Sequence, residues 1–222
     1  MSACAKRRSG ILPRNKKGLV KAPTCVSGIP SLTALASSLE DIASTMLHAA
    51  SYRAIEKLRD GRNYIIRAQR RDDNIIDALH LRAGLRTFYL RFLTRKHRLN
   101  NLEASFYLNV DFMKQVALLA ELHGEIIGGA RYYIWSPGQA DIAFIVGDAY
   151  QNKGIASAML HHLAFIARSA GISELHAHTL PHNRRALRVL HKLGFPCIAA
   201  NKRNMMHVTL HLGSTAHPPM SR

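Results

Sequence analysis

The segment from Ala140 to Ala170, ADIAFIVGDAYQNKGIASAMLHHLAFIARSA, restricts the possible folds more than any other part of the chain. Ile142 to Val146 is an unbroken apolar run of the length of a buried strand. Gly147 to Lys153 is polar and turn-like. From Gly154 the apolar residues Ile155, Met159, Leu163 and Ile166 recur on one helical face, and Gly171 stands where a helix C-terminus favours glycine. A strand that enters a helix through a glycine-containing turn leaves unpaired N–H groups at the start of that helix. Those donors and the helix dipole together attract phosphate, and Lys153 adds a positive charge at the same place.

Within this segment Gln151-Asn152-Lys153-Gly154-Ile155-Ala156 resembles the Q-x-x-G-x-G/A signature of the GNAT acyltransferase superfamily. A short pattern gains meaning from its setting, and here it follows an apolar strand and opens an amphipathic helix. A second signature follows in the expected order. Glu174 to Leu180 reads as a strand, after which Asn183 can cap a helix with Leu187 and Leu190 on its apolar face and Gly194 at its end. An Asn-started helix closing on Leu193-Gly194-Phe195 is similar to the superfamily's second motif.

The rest of the chain fits an α/β layout. Asp60-Gly61 marks a turn between a helical piece and a strand at Tyr64 to Ala68, and 70–85 is a mixture of helix and loop. Gln115 to Glu121 and Ile126 to Ile134 read as antiparallel strands joined at His123-Gly124, and Ser136-Pro137-Gly138 turns the chain into the strand at Ile142. The predicted fold is a mixed, mostly antiparallel sheet flanked by helices, the order expected of a GNAT fold. The predicted domain spans 51–213, preceded by 1–50 (a basic tail read as disordered, then a helix from Ser31 to Ala50) and followed by a tail at 214–222. Met1 to Pro30 holds seven Lys and Arg residues and no acid. A transit segment or a misplaced start site would have the same composition.

Composition excludes some classes of function and leaves others open. No apolar run is long enough to span a membrane, and Cys4, Cys25 and Cys197 have neither disulfide nor metal spacing, which points to a reducing, cytoplasmic setting. The thirteen histidines fall on different predicted elements, so no metal is expected. A formal charge of +17 suits a polyanionic cosubstrate, an acidic protein surface or nucleic acid, and charge alone does not choose among them.

The resemblance narrows further. Leu58-Arg59-Asp60-Gly61, Ile66-Arg67, Leu90-Arg91-Phe92, Val110-Asp111 and Ala140-Asp141-Ile142-Ala143-Phe144 look like the bacterial protein lysine acetyltransferases that modify acyl-CoA synthetases. It implies acetyl-CoA as cosubstrate, held by Ile145, Val146, Gln151, Asn152, Lys153, Gly154, Ile155, Ala156, Ser157 and Asn183. It implies a protein lysine as acceptor, with an acyl-CoA synthetase as one candidate partner. Asp141 stands where the resembled enzymes usually carry a glutamate, and is expected to take the proton of the attacking amine, directly or through water. The backbone N–H of Val146 is expected to stabilise the oxyanion. Leu190 occupies the place where many relatives carry a tyrosine that protonates the leaving thiolate. Two alternatives remain open: a small-molecule amine acetyltransferase of the same fold, and a non-catalytic acyl-CoA-binding or nucleic-acid-associated protein.

Overall fold

The computed structural model describes residues 44, 46–93 and 99–213. The predicted tails and most of the Ser31 to Ala50 helix lie outside them; residues 46–50 are helical.

Eight strands form one sheet: β1 (Arg53–Lys57), β2 (Asn63–Ala68), β3 (Gln115–Leu122), β4 (Glu125–Ser136), β5 (Gln139–Val146), β6 (Glu174–Thr179), β7 (Cys197–Lys202) and β8 (Met205–His211). Their spatial order is β1-β2-β3-β4-β5-β6-β8-β7. Every pairing is antiparallel except β5 with β6. That one parallel pair needs a crossover, which α4 (Ile155–Ser169) supplies. The remaining helices are α1 (Ile75–Arg82), α2 (Leu85–Phe92), α3 (Asn101–Leu108) and α5 (Arg184–His191).

Alternation along β5 assigns the two faces of the sheet. Ile142 and Val146 join the main core with Ile155, Met159 and Leu163 of α4. Ile145 points the other way, into a smaller cluster with Ile75 of α1 and Leu119 of β3. The α4 side chains at Met159 and Leu163 are fully buried, each worth about 1.5–3 kcal/mol of transfer free energy. The predicted stripe on this helix is therefore its buried face.

One predicted element differs. The helical piece before Asp60 is a strand, β1, at the edge of the sheet. Its register points Ile55 outward, 62% exposed, so no inward apolar alternation was there to read. Beyond the last motif the chain closes the sheet with a hairpin, β7–β8, turned by Arg203-Asn204 with both residues at positive φ (51° and 60°). Asn is among the residues that tolerate this left-handed pair, the geometry a tight two-residue hairpin requires.

Candidate functional site

The parallel pair at the middle of the sheet is incomplete. β5 pairs with β6 only from Gln139–Glu174 to Ile142–Ala177, yet β5 continues beside β4 to Val146 and β6 continues beside β8 to Thr179. Beyond Ile142 and Ala177 the two strands part. A groove of about 590 Å³ opens there, between the end of β5, the first turn of α4 and the start of α5.

Backbone polarity follows from the register. Gly147 N–H donates to Ile127 O at 2.9 Å, which makes Val146 and Gly128 a non-hydrogen-bonded pair of the β4–β5 ladder. Alternation then turns the amides of Val146 and Phe144 away from β4, toward the side β6 has left. At the end of the groove, Gly154 caps α4 at φ +92°, a conformation that favours glycine. A Cβ at Gly154 would meet nothing within 4 Å, so the space in front of the helix is open. The first intrahelical bond is Ala158 N–H to Gly154 O, which leaves the amides of Ile155, Ala156 and Ser157 without a helical acceptor.

The sequence motif is used partly for bracing. The Gln151 side-chain amide donates to Val146 O (3.1 Å), Thr87 Oγ1 (3.0 Å) and Asp148 Oδ1 (2.9 Å), and its oxygen accepts from Arg185 Nη1 at 2.7 Å. Asp148 in turn accepts from Thr87 Oγ1 (2.6 Å) and from the Gly84 amide that begins α2 (3.1 Å). One glutamine and one aspartate thus tie the end of β5 to α2 and α5. The fit is close: a Cβ on Gly147 would lie 2.9 Å from Arg82 Cβ. Asn183 caps α5 by accepting from Ala186 N–H (3.2 Å) and donates to Thr179 Oγ1 (2.9 Å).

Of the residues expected to hold the cosubstrate, Ile145, Val146, Gln151, Asn152, Gly154, Ile155, Ala156, Ser157 and Asn183 border the groove. Lys153 does not; its ammonium lies 5.6 Å from the Tyr150 ring centre. The positive charge comes from other residues: Arg59, Arg86, Arg91, Arg184, Arg185 and Arg188 line the groove, and no acidic side chain among the described residues does. The Arg184-Arg185-x-x-Arg188 spacing, which puts three guanidiniums on one side of a helix opened by Asn183, was the available signal for this charge. A ligand bearing several phosphates fits such a lining.

Asp141 lies at a different place. It is exposed, just outside the groove wall that begins at Ile142, on the same face as Ile145 because the two are four residues apart in a strand. Its cross-strand neighbours are Tyr133 and His176. Exposed Tyr133 (39%) and Trp135 (53%) border this face, with Trp135 in ring contact with His176 at 5.7 Å. Sequence reading missed a histidine pair nearby. His178 reaches the groove, and its ring packs 4.5 Å from that of its register partner His207. Partial burial and the charges of His178 and Lys202 lower the His207 pKa, against an opposing pull from Asp141. Leu190 is buried and carries no proton donor. No cluster of three His, Cys, Asp or Glu among the described residues is arranged to hold a metal. No helix among them is long and apolar enough to cross a membrane.

Comparison with known proteins places this geometry. A model of the acetyltransferase (GNAT) family matches residues 85–195. An acetyltransferase of Pseudomonas aeruginosa is 27% identical over 147 residues, which are 64% of this chain and 79% of the relative. Among solved structures, the GNAT domain of PAT from S. lividans superposes with a TM-score of 0.67 at 28% identity, over 72% of this chain and 96% of that domain. The yncA protein of Salmonella typhimurium, solved with acetyl-CoA, shares the fold at 18% identity and a TM-score of 0.57, over 72% of this chain and all of that one (100%).

Proposed function

We propose, since this chain belongs to the acetyltransferase (GNAT) family, that it transfers the acetyl group of acetyl-CoA directly to the ε-amine of a protein lysine. The observation that carries the reading is the parting of β5 from β6 beneath a basic groove whose described lining holds no acid.

In this reading Arg86, Arg184 and Arg185 and the open amides of Ile155 to Ser157 take the phosphates. The amides of Phe144 and Val146 bond the chain that runs between the parted strands. The Val146 N–H also meets the carbonyl oxygen as it becomes an oxyanion; one such donor is worth roughly 3 kcal/mol. The acceptor approaches from the Asp141 face. Its lysine must be neutral to attack, and deprotonating an amine of pKa about 10.4 at pH 7 costs about 4.6 kcal/mol. Asp141, through a water, takes that proton. The new N–C bond forms first, giving the tetrahedral oxyanion; as it collapses the C–S bond breaks, the nitrogen gives up its second proton to solvent, and the thiolate leaves with the electron pair and is protonated by solvent, because Leu190 offers no donor.

Support for a protein acceptor comes from the openness of the Asp141 face. A carboxylate bordered by half-exposed Tyr133 and Trp135 suits a lysine presented on a large surface better than an amine enclosed in a pocket. An acyl-CoA synthetase is one candidate for that surface. The test is mass spectrometry of a cell lysate incubated with labelled acetyl-CoA and this protein. Label on lysines of a few proteins is expected; label confined to small amines would overturn the protein-acceptor reading.

A further inference from the structure

A second cavity, about 30 Å³, lies on the α1 face of the sheet and shares Arg91, Ala143 and Ile145 with the groove wall. It is large enough to take a water or the end of a small ligand. Its polar lining is one-sided in charge. Arg131 enters from β4 and is only 6% exposed. Its Nη1 donates to Phe106 O (3.2 Å), and its Nη2 donates to Tyr107 O (2.9 Å) and Gln69 Oε1 (3.3 Å). The guanidinium also lies 4.4 Å from the centre of the Tyr107 ring. Arg91 stands on the same tyrosine, 5.6 Å from its ring centre. The buried Nε2 of His80, in the same cavity wall, has no hydrogen-bond partner.

The contrast with Arg67 is informative. That arginine is comparably buried and has two carboxylates, Asp73 at 2.7 Å and Glu121 at 2.6 Å. Arg131 has carbonyls at the C-terminus of α3 and an amide oxygen, and among the described residues no carboxylate pairs with it. Carbonyls at a helix end supply only a fraction of a charge, while a buried cation without a counter-charge is costly. Burial, with the repulsion of Arg91, brings the Arg131 pKa down to about 10. It is still charged at neutral pH.

We propose that this cavity is a carboxylate-binding subsite, in which Arg131 and Arg91, with His80 Nε2, receive a carboxylate of a substrate that lies in the groove. Arg91 stands between the cavity and the groove, being shared by both walls. The carboxylate has two possible sources: the far end of a dicarboxylic acyl group on the donor, or the carboxylate of an amino-acid-like acceptor. Either would supply the counter-charge that the fold withholds, through charge-assisted hydrogen bonds from Arg91 and from the Arg131 donors that the α3 carbonyls and Gln69 leave unused. The inference rests on reading the groove as the donor site, and its test separates the two.

The test is calorimetric, on the full chain, and compares wild type with Arg91→Gln and Arg131→Met. One arm titrates acetyl-CoA and succinyl-CoA; the other titrates lysine and lysinamide into protein saturated with CoA. Arg131→Met also withdraws donors from the end of α3, so Arg91→Gln is the deciding variant if Arg131→Met fails to fold. In folded Arg91→Gln, about a tenfold fall is expected in one preference, succinyl-CoA over acetyl-CoA or lysine over lysinamide. The first identifies the acyl chain as the source, the second the acceptor. Both preferences changing by less than threefold would overturn the subsite while leaving the donor reading intact. Wild-type protein that binds neither donor would overturn both.

Discussion

Asp141 sits on an open sheet face, with no described residue donating a hydrogen bond to it, and its cross-strand neighbours are an aromatic ring and an imidazole. In the proposed reaction that carboxylate accepts the amine's proton through a water, and no guanidinium or backbone amide among the described residues competes for it. Asp141→Asn keeps the shape and removes the proton acceptor. Turnover with a lysine peptide is expected to fall by about a hundredfold, with acetyl-CoA affinity unchanged because Asp141 lies outside the groove wall. Steady-state kinetics from pH 6 to 9 check this, and wild-type turnover across that range would assign the proton to another group. Asp141 could be singled out in the sequence because it falls inside a contiguous motif. His178 and His207 were not: 29 positions apart in sequence, they meet only because β8 returns to pair with β6.

At the scale of elements, the β5–turn–α4 unit could be read from sequence because each of its signals is local: an apolar strand, a glycine at the helix start and a stripe of helical period. Its bracing could not. Gln151 belongs to the motif, but its partners Thr87 and Arg185 lie 64 positions before and 34 after it, and no local pattern announces such a bond. The same holds where the segment leading into α1 is fixed to the sheet. Arg67 on β2 bonds Asp73 ahead of α1 and Glu121 on β3. Burial alone would raise the Asp73 pKa, but hydrogen bonds from Arg67 and the Arg70 amide bring it below the ordinary carboxylate value. A lowered folded-state pKa gives stability that is present above the unfolded value, about 3.9, and is lost as pH falls through the folded one. Asp73→Asn is therefore expected to cost about 3 kcal/mol at neutral pH, the penalty for breaking a buried pair. It should also flatten the loss of stability on acidification below pH 5. Denaturant unfolding at pH 7 and at about pH 2.5, below the unfolded value, measures both, and an equal acid loss in the variant would show that Asp73 is not its source.

For the whole molecule, the charge of +17 now has a partial destination. Composition gave its size without its address. Arginines from β1's following turn, from α2 and from α5 converge on one groove although they are spread from 59 to 188 in sequence. That convergence depends on α4 crossing between parallel strands and on Asp148 and Gln151 holding α2 and α5 to the same loop. The run β3–β4–β5–α4 was legible; the edge strand β1 and the sites where distant elements lend charge were not, because they are products of packing. In the proposed function this groove, closed by the amides at the start of α4, holds acetyl-CoA. That reading is tested most directly by titration calorimetry of acetyl-CoA into wild type and Gly154→Glu. The new side chain would enter open space rather than a packed wall, at a cost of about 1–2 kcal/mol for the left-handed backbone, so a folded variant is expected and circular dichroism can verify it. It sets a carboxylate before the amides of Ile155 to Ser157. Tight binding to wild type and no measurable binding to folded Gly154→Glu is the predicted result; equal affinity for both proteins would contradict the assignment of the groove.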